Sequence, residues 1–143
     1  MAMGKRREGF TLVELMMVVS LIAILTAIAV PRMSALIQKS NEGASKAKLG
    51  AVRSALTIYY ADMEGQYPGD LSVFASPGNK YLRGEMSLYT AQHGSKDAVQ
   101  NLAAPDYSSD AGSWGYVNEG GQWGTFWVQC THMDGGGKAW TSY

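Results

Sequence analysis

Cysteine is almost absent from this chain, since Cys130 is the only one among 143 residues. A single thiol excludes an internal disulfide, and it neither requires nor excludes an oxidising compartment. Histidine is nearly as rare, with only His93 and His132 present. The sequence also lacks a phosphate-binding glycine loop and a serine elbow. It therefore predicts no enzyme, no metal site and no cofactor.

Charge of one sign is not in excess either, because 12 basic residues balance 12 acidic ones. The distribution is uneven: five bases and one acid lie from Arg32 to Arg53, whereas nine acids and four bases lie from Asp62 to Tyr143. This pattern leaves no broad basic face for a phosphate backbone. Nucleic acid is therefore not a predicted partner.

The longest apolar run extends from Phe10 to Val30 and follows a short basic leader. As a helix it measures roughly 31 Å, which matches a bilayer core of roughly 30 Å. Two kinds of processing remain open. A secretory peptidase would cut at Ala27-Ile28-Ala29 and release a soluble protein that begins at Val30. A cut after Gly9 would instead keep the apolar helix on the mature protein.

Glu14 separates these two interpretations, because a secretory signal needs only apolarity. An ionisable group in a membrane segment costs roughly 3 kcal/mol at the bilayer centre, less near the interface, and usually has a partner. Glu14 lies one turn into the run, where its carboxylate can reach the lipid headgroups. A cation from another chain would be a better partner than water. Such a pairing favours the interpretation in which the apolar helix stays on the mature protein.

The stretch KRREG-FTLVELMMVVSLIAILTAIAVPRM resembles the class III leader and first helix of type IV prepilins and type II secretion pseudopilins. The resemblance depends on spacing: the leader ends in Gly9, Phe10 follows, Glu14 is the fifth mature residue and Pro31 the twenty-second. It implies that a prepilin peptidase cuts between Gly9 and Phe10 and N-methylates Phe10. It also implies that Glu14 neutralises the Phe10 amino group of a neighbouring subunit during filament assembly.

The resemblance further implies a location and a set of partners. The protein begins in the inner membrane as a single-pass protein with a periplasmic carboxyl-terminal domain. There it contacts lipid, the prepilin peptidase and an assembly platform, and it then enters a homo-oligomeric pilus or pseudopilus. The Lys and Arg distribution opposes this orientation, because three precede the apolar run and five follow it. In the family the charged leader faces a cytoplasmic peptidase, and this favours the orientation with the leader in the cytoplasm.

The domain boundaries follow from these features. Residues 1–9 are the predicted leader, 10–30 the transmembrane and assembly helix, 31–64 its amphipathic continuation and 65–143 a globular domain. Pro31 lacks an amide donor and predicts a kink in the helix. An apolar stripe at helical spacing predicts burial against the globular domain; it comprises Val52, Ala55, Leu56, Tyr59 and Met63.

Three aromatic and β-branched runs follow Ser113: SWGYVN, GQWGTFWVQCTH and KAWTSY. Glycine-rich turns separate them, so they predict an antiparallel three-stranded meander. The predicted fold class is α+β. A long N-terminal helix, with a membrane-spanning first half, packs on a small antiparallel sheet, as in the pilin fold.

The helix end YYADMEGQYP is similar to that of the major pseudopilins. Those proteins also have an acidic carboxyl-terminal calcium loop, and here Asp134 stands alone in that region. The acidic pairs Asp62 with Glu64 and Asp106 with Asp110 are too few to form a calcium site. The sequence therefore leaves pilin and pseudopilin open.

Cys130, His132 and Asp134 alternate at the end of the middle run, in the pattern of a thiolate–imidazole pair or a metal half-site. The lack of a further partner favours a buried cysteine beside a solvated strand end. The four tryptophans form either a ligand-stacking surface or a core, and strand spacing favours the core. Two other functions remain open: a secreted or signal-anchored binding domain with an aromatic sheet surface, and an exported thiol enzyme.

Overall fold

A computed structural model of the chain describes residues 9–76 and 78–143. The described chain divides into two compact units, with the boundary between Ile37 and Gln38. Helix α1 (Leu12–Asp62) contributes its first part to one unit and its second part to the other. The predicted leader lies outside the described residues, except for Gly9.

The first unit is a helical segment with an apolar surface on all sides. Every described residue up to Ile37 is exposed, including Phe10 at 77%. By length and composition this part of α1 is sufficient to cross a membrane. A helix that is apolar all round needs lipid or other protein around it. The backbone is helical through Pro31, and the kink there stays a prediction.

In the second unit, α1 buries one face at a spacing of three or four residues. The buried residues are Glu42, Ser45, Leu49, Val52, Ala55 and Leu56. The predicted stripe is confirmed at its centre, where Val52, Ala55 and Leu56 are buried and Tyr59 packs against the core. It is wrong at Met63, which is 43% exposed because the helix ends at Asp62. The buried face also begins earlier, with two polar residues.

Five short strands form two sheets in the second unit. Strands β1 (Leu88–Thr90) and β2 (Gly94–Lys96) pair antiparallel. The other sheet has the order β3-β4-β5, with bounds Val99–Leu102, Ser113–Val117 and Phe126–Gln129. Strand β3 is parallel to β4, and β5 is antiparallel to β4. The α+β class is therefore confirmed, with a mixed sheet.

The predicted three-stranded meander is correct for β4 and β5 and wrong for its third strand. The run KAWTSY joins neither sheet: Ala139 forms one isolated antiparallel bridge with Met133, and Trp140–Ser142 form a 3₁₀ turn. Trp140 is fully buried in the core, and its backbone N–H donates to the His132 carbonyl at 3.1 Å. The third strand of this sheet is β3, which precedes β4 in the chain. Such pairing depends on neighbours brought together by the fold.

Both faces of the β4–β5 pair are covered. One face joins the core with α1, through Trp114, Tyr116, Phe126 and Val128. On the other face, Trp127 lies over Gly115 of the adjacent strand, and its indole N–H donates to the Asp106 carbonyl at 3.3 Å. All nine residues of the two strands are therefore buried.

Candidate functional site

Thr11 and Glu14 form a capping box at the start of α1. Thr11 donates twice to Glu14 Oε2, from its N–H at 2.9 Å and its hydroxyl at 2.7 Å. The Glu14 N–H donates to Thr11 Oγ1 at 3.2 Å. These bonds satisfy amides that have no partner inside the helix. The sequence-based interpretation of Glu14 missed this role, although Thr-x-x-Glu is its signal.

Glu14 retains acceptor capacity beyond the capping box. Both Thr11 bonds end on Oε2, and within the described residues Oε1 accepts no hydrogen bond. An ionised carboxylate offers about four acceptor positions. Phe10 lies four residues earlier, exposed and before the start of the helix. The helix start therefore presents a carboxylate oxygen with room for a cation from outside the chain.

The carboxyl-terminal loop is attached to α1 by two buried carboxylates. Asp134 forms an ion pair with Lys46 of α1, and Glu42 accepts the Gly135 N–H at 2.8 Å. Asp134 also accepts the Tyr143 hydroxyl at 2.6 Å and the Lys138 N–H at 2.8 Å. Chiefly because of Lys46, the pKa of Asp134 lies well below its ordinary value. A lysine of the same chain therefore neutralises this loop.

Cys130 is buried, as the sequence favoured, and it lies beside His132. Cys130 Sγ lies 3.7 Å from His132 Nδ1, whereas Asp134 forms an ion pair with Lys46. Burial raises the pKa of the Cys130 thiol. A thiol kept neutral by burial is a poor nucleophile, which disfavours the exported thiol enzyme.

Asp110 is the carboxylate that contacts His132, and it also contacts His93. Asp110 Oδ1 lies 3.2 Å from His93 Nε2 and 3.2 Å from His132 Nδ1. It also accepts the Thr131 N–H at 3.0 Å. This amide, together with the two imidazoles, lowers the pKa of Asp110 to about 2. His93 and Asp110 carry no local sequence signal, because they lie in loops 17 residues apart.

The tryptophans do not form a ligand surface. Trp114, Trp127 and Trp140 are among the largest fully buried side chains, and Trp123 is 38% exposed. The prediction of a core role is therefore confirmed for three of the four. The described residues contain no row of exposed aromatic side chains on which a ligand could stack. This disfavours a binding domain with an aromatic sheet surface.

Three of the four acidic residues considered as calcium ligands have other partners. Asp62 forms an ion pair of 2.7 Å with Lys80, Asp106 accepts hydrogen bonds from Ser108, and Asp110 contacts the two histidines.

The chain is similar to proteins of known type. A family model described as a prokaryotic N-terminal methylation motif matches residues 4–30. Over 107 residues the chain is 36% identical to the type IV narrow pilus major component PilA5 of Thermus thermophilus, a match that covers 75% of this chain and 90% of that protein.

Other relatives match over shorter spans. The type IV major pilin protein PilA of Myxococcus xanthus is 32% identical over 53% of this chain and 36% of its own length. The type IV major fimbrial protein FimA of Dichelobacter nodosus is 33% identical over 62% of this chain and 54% of its own length. The chain thus spans about half or less of these two proteins. No solved structure matches.

The N-terminal motif alone is short, since it covers residues 4–30. The similarity to the Thermus protein extends much further, over three-quarters of the chain. The structure adds an apolar helix that continues into a packed helix-and-sheet domain. Taken together, these findings show that the chain belongs to the type IV pilin family.

Proposed function

We propose that this chain is a prepilin, cut between Gly9 and Phe10 and polymerised through α1 into a type IV pilus. The observation that carries the proposal is the first unit, a fully exposed apolar helix with an available carboxylate near its start. Such a surface requires lipid before assembly and other subunits afterwards. The relatives' names favour a pilus over a pseudopilus.

The proposal includes the domain boundaries and the location. Residues 1–9 form the leader, 10–30 the membrane and assembly helix, 31–64 its continuation and 65–143 the globular domain. The leader faces the cytoplasm, where the prepilin peptidase removes it and N-methylates Phe10. The globular domain is periplasmic until the inner-membrane platform adds the subunit to the filament. A kink at Pro31 lets the helix adjust as it leaves the bilayer.

Glu14 has two separable roles in this mechanism. Its Oε2 closes the capping box with Thr11, and its Oε1 accepts the Phe10 ammonium of a neighbouring subunit. Cleavage creates that cation at the edge of the bilayer, where an unpaired charge is costly. Because the Phe10 ammonium exists only after cleavage, its ion pair with the Glu14 carboxylate stabilises the contact between subunits only after processing.

Mass spectrometry of the mature protein tests the processing step. We expect N-methylated Phe10 at the amino terminus. A mature chain that begins at Val30 would instead support ordinary secretion and contradict the proposal.

Three variants separate the two roles of Glu14. Glu14→Gln keeps a capping-box side chain but removes the charge, Glu14→Ala removes both, and Thr11→Val removes the hydroxyl cap but keeps the charge. We expect processed, membrane-held protein in all three. Electron microscopy of sheared filaments should show few or none for both Glu14 variants and near-normal yield for Thr11→Val. Normal filaments from Glu14→Gln would show that capping, and not charge pairing, is the function.

A further inference from the structure

We propose that His93, Asp110, Cys130 and His132 form a tetrahedral metal site that binds Zn²⁺. The proposal is independent of filament assembly. Each residue offers one ligand atom, and these four atoms lie within 4.8 Å of one another. They come from three separate segments: the β1–β2 turn, the loop before β4 and the end of β5.

The distances suit a tetrahedral ion. Asp110 Oδ1 is 3.2 Å from each histidine nitrogen, and Cys130 Sγ is 3.7 Å from His132 Nδ1. Zinc bonds of about 2.0–2.3 Å place tetrahedral ligands about 3.3–3.7 Å apart. Three edges of the cluster lie within about 0.1 Å of this range. The other edges are at most 4.8 Å long and would shorten by up to about 1 Å when the ion binds.

The donor set determines the choice of ion. One thiolate, two imidazoles and one carboxylate favour Zn²⁺ over the hard cations Ca²⁺ and Mg²⁺, which take oxygen ligands. All four positions are filled by protein, which is the arrangement of a structural zinc site. Cu²⁺ is the expected competitor in solution, because it binds such ligands more tightly.

The surroundings hold two of the ligands in place. The Thr131 N–H donates to Asp110 Oδ1 at 3.0 Å, as outer hydrogen bonds do for ligating carboxylates. His93 lies against Gly112, where a Cβ would be 2.3 Å from the imidazole Cγ and where φ is +65°. A side chain at position 112 would therefore displace His93 from the cluster. The side chains of His93, Asp110 and His132 are 18%, 38% and 42% exposed, which leaves an entry path beside the buried Cys130.

The site would join segments that no disulfide can join, because Cys130 has no second cysteine to pair with. A bound ion would tie the loop before β4 to the β1–β2 turn and to the end of β5. Since the unfolded chain does not gather these ligands, the binding free energy stabilises the fold.

The test uses the full chain in detergent, purified with a thiol reductant and freed of metal by chelation. Zn²⁺ should bind at one equivalent per chain and raise the thermal midpoint. Co²⁺ should give a thiolate-to-metal charge-transfer band together with the intense visible bands of tetrahedral cobalt. These readouts need no variant, so they do not depend on whether a mutant folds.

Matched variants identify the ligands. His93→Gln and His132→Gln should each weaken Zn²⁺ binding by at least about 100-fold, since loss of an outer-shell partner alone costs 10–100-fold. Cys130→Ser should remove the cobalt charge-transfer band. Gln92→Ala and Met133→Ala, which change neighbouring residues in the same segments, should bind as the wild type does.

Two results would overturn the proposal. One is a wild-type chain that takes up neither ion, which would leave the cluster as a hydrogen-bonded group of Asp110 with two histidines. The other is uptake that persists unchanged in His93→Gln and Cys130→Ser, which would place the ion elsewhere.

Discussion

At the scale of single residues, Gly115 and Asp134 show how closely the second unit is packed. A Cβ on Gly115 would lie 2.4 Å from Trp127 Cε2, which is too short for any real contact. Asp134 is buried, with donors directed at both of its oxygens. Neither position tolerates a change without movement of its neighbours.

We expect Gly115→Ala to lower the free energy of unfolding by about 1–3 kcal/mol, the usual cost of overpacking. Trp127 cannot move aside easily, because it is 1% exposed. Chemical denaturation followed by tryptophan fluorescence measures the change. Gly50→Ala is the matched control, since nothing lies within 4 Å of its added Cβ. In a helix that control should be neutral or stabilising, and equal losses in the two variants would contradict the packing argument.

We expect Asp134→Asn to destabilise the protein by about 1–3 kcal/mol. Oδ2 accepts from both Lys46 and Tyr143, and an amide NH₂ at that position would place its donors against the Lys46 ammonium, which cannot accept a hydrogen bond. The amide oxygen can keep the Gly136 and Lys138 bonds. Asp62→Asn is the control, because it breaks a lysine pair on the surface, where such pairs contribute little. If both variants lost the same stability, burial of the pair would not be the cause.

At the scale of elements, polar side chains of α1 attach the helix to its neighbours. The buried Ser45 hydroxyl accepts the Tyr89 N–H at 2.8 Å and lies 3.0 Å from the Tyr89 carbonyl oxygen. Arg53 donates to the Phe126 carbonyl at 2.9 Å and to the Tyr143 carbonyl at 2.8 Å. These bonds satisfy backbone groups of β1, of β5 and of Tyr143.

We expect Ser45→Ala to cost about 1–2 kcal/mol, because it leaves a backbone N–H of β1 without its partner. Hydrogen exchange at Tyr89 should accelerate more than exchange in β5. Ser54→Ala changes the same residue type on an exposed position of the same helix and should have no measurable effect. Unchanged Tyr89 exchange in Ser45→Ala would contradict the proposed attachment.

At the scale of the whole molecule, the core and the apolar helix start belong to different units. The buried residues from Glu42 to Trp140 lie within the second unit. The described part of the first unit, up to Ile37, is exposed throughout. Folding and anchoring are therefore supplied by different parts of the chain.

We expect a chain that begins at Gln38 to stay dispersed without detergent and to unfold in one cooperative transition. Its core residues are all retained, and the apolar helix start that demands lipid is removed. Circular dichroism and sedimentation measure the two properties, with the full chain in detergent-free buffer as the aggregating control. Aggregation of the shortened chain, or a gradual transition, would show that the second unit needs the first.

The parts predicted correctly from the sequence are those with a local cause. An apolar run of membrane length, the N-terminal motif within residues 4–30 and the helical stripe at Val52 all depend on residues close together in the chain. The paired strands β4 and β5 are also local, since they are consecutive in the chain and a loop of residues 118–125 joins them. For these features the sequence pattern and the physical cause are the same.

The tertiary structure alone decided what depends on distant residues. It placed β3 beside β4 and moved Trp140 from a strand into the core. It paired Asp134 with Lys46, 88 residues away, and it placed Asp110 within 3.2 Å of His93 and His132. Loop residues carry no periodicity that predicts such meetings, because their positions are set by the packing of other elements. The sequence by itself therefore determined the anchor and the family, and the fold determined which side chains share a site.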